Sequence, residues 1–492
     1  MKKKILGLII GITIILSGGG LFLLVQYLIT EQTETPDNRI AIEIMTYSLE
    51  QVEFYQDIAQ VFEEEHPNIR LDFITTSGSE YHDTLELLFE SEQAPDIFYQ
   101  SGGFGIMAEF LEKGWIQPIS FGGNTSLEFQ WKERFPNNSF LEGSTNYKNE
   151  TYSFCHDDLE ISGLGYMFFN KDVLRDAGLD PELPPTTWNG FINACRTIEI
   201  QTNSSGIAIS LSPNTQIKRI WSAIAGSSMT NRQFDYKNGR FCIDDPRHIA
   251  AFEFIQSLYN ESLVWYDPID GYDYNKNLAR QAMATGLAAF YFDGDYIPSV
   301  LNGMGFNSTN LDLGVALPPF PDNWSRGALA KGVTGTGFWV SNQSKHPEEV
   351  WTFIEWMTRP EGYYAQEFIK RDFGFLAFAN NSGLVDDPIM REIINISKSL
   401  RVTYPQPRIF NPELINSSAF AMGSQIVAIL PILTNAILNN YDNFTLIAQD
   451  LANMSNKIFL DTLALEYAAG LNVGISNYTF PDWNYDEDFI YP

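Results

Sequence analysis

His156, Asp157, Asp158 and Glu160 bring one imidazole and three carboxylates within five positions. Such a cluster could supply an acid/base pair for glycoside cleavage, oxygen ligands for calcium, or acceptors for a hydroxylated ligand. The last of these, or plain solvation on a loop, fits better than the first two. Gly102-Gly103-Phe104-Gly105 has the glycine density of a phosphate cradle, but no basic residue follows closely, so a tight turn is the better reading. The remaining reactive residues are scattered. His66, His82, His156, His248 and His346 never pair at the i,i+4 spacing of a helical metal site. Cys155, Cys195 and Cys242 are odd in number and widely spaced, which argues against a disulfide scaffold or a thiolate metal site. Signatures of nucleophile elbows, zinc helices and phosphate-binding loops are absent. Nothing in this inventory compels catalysis, a metal or a cofactor.

The elements that would position such residues follow from hydrophobic period. Arg39 to Tyr47 alternates as a strand does; Gln51 to His66 places Val52, Tyr55, Ile58, Ala59 and Phe62 at helical spacing. Ile69 to Thr75 is again extended, Tyr81 to Glu90 helical, and Pro95 to Tyr99 a short buried strand. This β-α-β-α-β order predicts an open α/β sheet with parallel pairings, whose ligands gather where loops leave the carboxyl ends of the strands. Those loops are Tyr47–Ser48, Thr76–Ser79 and Gln100–Phe104. Further along, Gly163 to Asn170 reads as a strand and Lys171 to Ala177 as a helix. Thr186 or Thr187 caps a helix containing Trp188, Phe191 and Ile192. Pro246 to Tyr259 and Pro347 to Met357 are helical, Ala288 to Phe292 extended, and Pro412 to Asp461 almost wholly helical.

The chain of 492 residues holds 61 acidic and 31 basic side chains, a formal charge of −30. That balance repels phosphate backbones, so nucleic acid is an unfavoured partner. Aromatic residues make up 14%, more than core packing needs, which leaves rings to line a cleft. Lys2, Lys3 and Lys4 precede an uncharged apolar run from Ile5 to Thr30. The run is long enough to span a bilayer as a helix, with the lysines inside and the rest of the chain outside. A cleaved signal peptide is the rival reading. Residues 31–39 then form a short polar linker. Fourteen Asn-x-Ser/Thr motifs begin at Asn124, Asn137, Asn149, Asn203, Asn260, Asn307, Asn323, Asn342, Asn380, Asn395, Asn416, Asn443, Asn453 and Asn477. Chance would give roughly four or five, so the excess suggests a glycosylated cell-surface protein, archaeal in type.

The stretch FFNKDVLRDAGLDPELPPTTWNGF, Phe168 to Phe191, resembles the Y-N-K-D…G-L…P-x-T-W-x-x-F segment of extracellular solute-binding proteins of ABC importers, in the maltose-binding-protein-like branch. EQVEFYQDIAQVFEEEHPNI, APDIF with FLEKGWIQPI, GLAAFYFDGDY, and LGVALPPFPD with GFWVSNQSKHPEEVWTFIEWMTRPEG resemble further family segments in the same order. Together they cover roughly residues 40 to 370.

The resemblance implies a type II periplasmic-binding-protein-like α/β fold. Lobe 1 would be 40–155 plus 338–378, lobe 2 would be 160–335 plus 380–480, and 481–492 a tail. Crossings fall near Phe154–Ser162 and Lys331–Gly337. It further implies a sugar or oligosaccharide caught between the lobes for an ABC permease, without turnover. A polysaccharide hydrolase or lyase, and a sensory receptor, are the alternatives. Tyr296 stands where the family has a stacking tryptophan, and Asp293 and Asp295 flank that turn, either to take ligand hydroxyls or merely to shape the turn. Tyr47, Ser48, Ser77, Gly78, Gln100 and Ser101 occupy cleft-facing loops in the family, with Tyr81 close by. Asp158 and Glu160 match a crossover region that carries a ligand-binding acid. Trp221, Trp265 and Trp339 complete the expected site, with core burial the competing role for each of the three and for Tyr81.

Overall fold

Ile42, Ile44 and Met45 are wholly buried in strand Ile40–Thr46, the near-continuous apolar pattern of a strand covered on both faces. The computed structural model describes residues 6–17, 20–31, 37–46, 51–76, 80–100, 106–137, 139–159, 161, 164–211, 234–272, 274–324, 329–331, 337–397, 401–426, 444–485 and 487–490. In it, Ile40–Thr46 lies between Ile69–Thr75 and Ile97–Gln100, parallel to both. Gly337–Ser341 returns from far along the chain and pairs antiparallel with Ile97–Gln100. Ile116–Gln117 and Ser153–Cys155 also pair with it, completing a sheet of six strands. Because neighbouring residues of a strand point to opposite faces, Phe338 and Trp339 enter different cores. Helix Val52–Glu65 covers one face with Phe54, Tyr55, Ile58 and Phe62; helix Tyr81–Glu90 covers the other with Tyr81, Leu85 and Phe89.

A second sheet has the order Ser205–Ile207, Ala288–Gly294, Leu164–Asn170, Leu313–Ala316. All seven residues of Ala288–Gly294 are buried. Met167, Phe169, Phe290 and Phe292 face one core of this lobe, and Phe168 and Tyr291 the other. The expected Thr187 cap is present, its hydroxyl accepting from Gly190 N at 3.2 Å at the start of helix Trp188–Gln201. Helix Pro347–Met357 has the bounds its sequence suggests. Helix Phe444–Ala468 packs on the second sheet's core, the Phe444 ring stacked on Phe252 at 3.6 Å. Two lobes of α/β construction result, each a sheet between two apolar cores.

The lobes are joined where residues 156–158 run beside 375–377. Asp158 N donates to Phe375 O and Ala377 N to His156 O, both at 2.8 Å. The N-terminal apolar run differs from the helix its length suggests. Leu6–Ser17 and Gly20–Glu31 form two antiparallel strands, and among the described residues no helix is long and apolar enough to cross a membrane. Five isoleucines and a threonine in Leu6–Ser17 give the physical reason, since β-branched side chains favour extended backbone.

Candidate functional site

Between the two sheets lies a cavity of about 330 Å³, lined from both lobes. The first lobe contributes Thr46, Gln51, Tyr55, Tyr99, His156, Asp157, Phe368 and Phe373; the second contributes Lys276, Arg280, Tyr296, Ser299 and Val300. Each position follows from its element. Thr46 ends its strand, Gln51 and Tyr55 start the helix that follows, and Tyr55 OH donates to Gln51 Oε1 at 3.0 Å. His156 is 2% exposed and held from both sides: Nδ1 is 2.8 Å from Asp157 Oδ1 and Nε2 is 2.9 Å from the Tyr364 hydroxyl. Tyr99 and Phe368 meet its ring edge-on at 5.4 and 5.1 Å.

The second lobe's wall rests on one carboxylate. Asp293, 1% exposed, accepts from Arg280 Nη2 at 2.8 Å and Nε at 3.2 Å, and from Tyr291 OH at 2.9 Å. It also accepts from Tyr296 OH at 2.7 Å and its neighbour Gly294 N at 2.9 Å. Five donors saturate its lone pairs. Burial alone would lower the pKa of Arg280, but the Asp293 carboxylate overrides it and holds the guanidinium above its ordinary range. The Tyr296 ring folds back to reach Asp293 by lying over Gly294, where a Cβ would sit 2.4 Å from Tyr296 Cε1. Arg280 lies 5.9 Å from the centre of that ring. The cleft thus has aromatic rings on both walls and fixed hydrogen-bonding groups between them, as recognition of a compact polyhydroxylated solute requires.

The model of the bacterial extracellular solute-binding protein family matches residues 48–364. The chain belongs to that family. Among curated relatives of this solute-binding protein, an arabinooligosaccharide-binding protein of Bacillus subtilis is 22% identical over 320 residues, 61% of this chain and 65% of that protein. The chain therefore spans a little under two thirds of that relative's length. The sn-glycerol-3-phosphate-binding periplasmic protein UgpB of Shigella dysenteriae is 23% identical over 394 residues, 73% of this chain and 83% of the relative. The GacH receptor of Streptomyces glaucescens, solved unliganded and with acarbose, aligns with a TM-score of 0.64 at 17% identity, covering 86% of this chain and 99% of that one. That likeness is one of fold.

The solute-binding protein places the residues expected from its sequence unevenly. Tyr296 lines the cavity. Asp293 is not among the lining residues and is engaged by Arg280, Tyr291 and Tyr296, which fits the turn-shaping alternative. Asp295 is 5% exposed and does not line the cavity. Asp158 accepts from Asn381 Nδ2 at 2.9 Å and thereby ties the crossing. Tyr81 and Trp339 are corrections: both are buried in the core between the sheet and helix Tyr81–Glu90, because their positions point away from the cleft face. Tyr81 OH donates there to Met45 O at 3.2 Å. Trp265 packs edge-on against Tyr274 at 4.8 Å, also away from the cavity. Tyr47, Ser48, Ser77, Gly78, Ser101, Glu160 and Trp221 lie outside the described residues, as does the Gln100 side chain.

Sequence reasoning missed Tyr55, Tyr99, Arg280, Phe368 and Phe373. Arg280 left a trace, a cation within the apolar helical stretch Ala279–Ala284. The two phenylalanines left none, since they reach the cleft from the segment after Pro347–Met357. Beside Phe373 sits Asp372, 9% exposed, in a left-handed conformation (φ 56°). Burial pushes its carboxyl up to about 7, and the carboxylates of Asp387 and Asp386 add to the shift. A raised folded pKa stabilises the fold fully below the unfolded value, and that contribution is lost as pH rises through about 7. Asp372→Asn, which tolerates the same backbone, is expected to raise stability at pH 8 by about 1–2 kcal/mol after allowing for solvent screening, and to leave it unchanged at pH 4. Thermal melts of both proteins across that range check this; equal pH slopes would refute it.

Proposed function

We propose that this protein captures a sugar or short oligosaccharide between its lobes and delivers it to the membrane subunits of an ABC permease. The observation that carries the reading is the cavity itself, with Tyr55, Tyr99, Phe368 and Phe373 on one wall and Tyr296 on the other. Rings on opposite walls suit the apolar faces of a pyranose, while Gln51, Asp157, Ser299 and Lys276 offer partners to its hydroxyl rim. A volume of about 330 Å³ lies at the small end of ligand pockets. The relatives that bind arabinooligosaccharide and glycerol phosphate support a small hydroxylated solute. The apolar run from Ile5 to Thr30 serves as the membrane anchor or export signal. In a bilayer the run would have to convert from its two strands to a helix, because an isolated hairpin would leave its edge groups unpaired in lipid. Such an anchor keeps the lobes on the outer face beside the permease.

A thermal-shift screen against mono- and oligosaccharides tests the proposal, since a true ligand raises the melting temperature by mass action. A shift with polyamines or peptides and none with sugars would overturn the carbohydrate assignment. Tyr296→Ala is expected to weaken the ligand so found by about five- to twelvefold, the loss of about 1–1.5 kcal/mol of ring contact. Tyr296→Phe, which keeps the ring, should lose less. Calorimetric titration measures both, and unchanged affinity in the alanine variant would remove Tyr296 from the site.

A further inference from the structure

We infer that the outer surface of both lobes carries asparagine-linked glycans, and that some of them are attached before the chain folds. Fourteen acceptor motifs exceed the roughly four or five expected by chance. Of their asparagines, thirteen are described, and all but Asn477 are exposed. Among the described residues the buried asparagines, Asn170 and Asn381, stand at positions that are not acceptors. None of the thirteen described acceptors lines the cleft. Acceptors thus cover the surface and spare the cavity, so glycans on all of them would leave solute access open.

The hydroxyls two residues on divide the acceptors. Ser139, Thr151, Ser397 and Ser455, which complete the motifs of Asn137, Asn149, Asn395 and Asn453, are 6, 2, 2 and 0% exposed. Ser139 Oγ donates to Pro136 O at 2.8 Å, Thr151 Oγ1 to Glu128 Oε1 at 3.1 Å, and Ser397 Oγ to Ile393 O at 2.6 Å. A transferase that must read this hydroxyl cannot reach it in the folded lobe. Ser126, Ser262, Ser382 and Ser418, which complete four other motifs, are exposed and open to it at any stage.

In the transfer, the acceptor's Nδ2 attacks the anomeric carbon of a lipid-phosphate-linked glycan. The C–N bond forms, the C–O bond to phosphate breaks, the lipid phosphate leaves with the electron pair, and the amide gives up one proton. No oxidant or reductant is needed.

The test is intact mass and peptide-level mass spectrometry on the full chain isolated from its native cells. Expected is a mass above that of the polypeptide, with glycan on exposed-motif peptides and on those of Asn137, Asn149, Asn395 and Asn453. Fourteen bare peptides would overturn the proposal. Glycan on the exposed motifs alone, with those four bare, would overturn attachment before folding. Asn203→Gln and Asn323→Gln change exposed loop residues, and each should lower the intact mass by one glycan; no loss from either variant would count against modification at those sites.

Discussion

Asp293→Ala is expected to lower the unfolding free energy by about 3–5 kcal/mol, the cost of stranding a buried charge by removing its partner. Arg280 and Asp293 are 3% and 1% exposed, and the guanidinium has little water to turn to. Arg280 Nη1 keeps its bond to Asn277 Oδ1 at 3.0 Å, but Nη2 and Nε lose theirs. Tyr291 OH, equally buried, loses its acceptor too. The pair Arg280→Met and Asp293→Leu, made together, should regain only part of the loss, since it removes both charges but also the carboxylate to which the Tyr291 and Tyr296 hydroxyls donate. Denaturant midpoints at constant slope measure these differences. A cost below about 1 kcal/mol for the alanine variant would mean that water reaches Arg280, and the supporting role of Asp293 would fall. Ligand affinity should fall as well, because Tyr296 and Arg280 both present themselves to the cleft from this carboxylate.

Gly337→Ala is expected to destabilise the protein by about 2–3 kcal/mol through overpacking. A Cβ there would lie 2.5 Å from Phe154 O and 2.8 Å from Ser153 Oγ. Gly337 is paired on one side with Gln100 and on the other with Cys155, so no neighbouring strand can retreat without breaking its ladder. The glycine therefore serves close approach between strands at the point where the chain re-enters the first lobe. Gly303 is the control: a Cβ meets nothing within 4 Å, and Gly303→Ala at the end of helix Ile297–Gly303 should be neutral or stabilising by up to about 1 kcal/mol. Similar melting temperatures for the two variants would defeat the steric argument.

Local chemistry in the sequence determined the elements and their order. Thr187 caps its helix, Pro347 starts a helix that ends at Met357, and Ile40–Thr46, Ile69–Thr75 and Ile97–Gln100 pair in parallel as the β-α-β-α-β order requires. These features depend on residues a few positions apart, and the family segments along the chain carry the two-lobed fold with them. The N-terminal run shows the limit, since its length suits a helix and its isoleucines suit strands. Only the tertiary structure decided which side chains meet in the cleft. Tyr99 lines the cavity while Phe98 is core, and Trp339, paired with Phe98, is core as well. A single step along a strand exchanges the two faces, and nothing local says which face the other lobe will cover. Asp293 likewise reads from its turn as either a ligand contact or a turn-shaping residue. The tertiary structure brings Arg280, thirteen residues earlier, onto its carboxylate from a neighbouring helix.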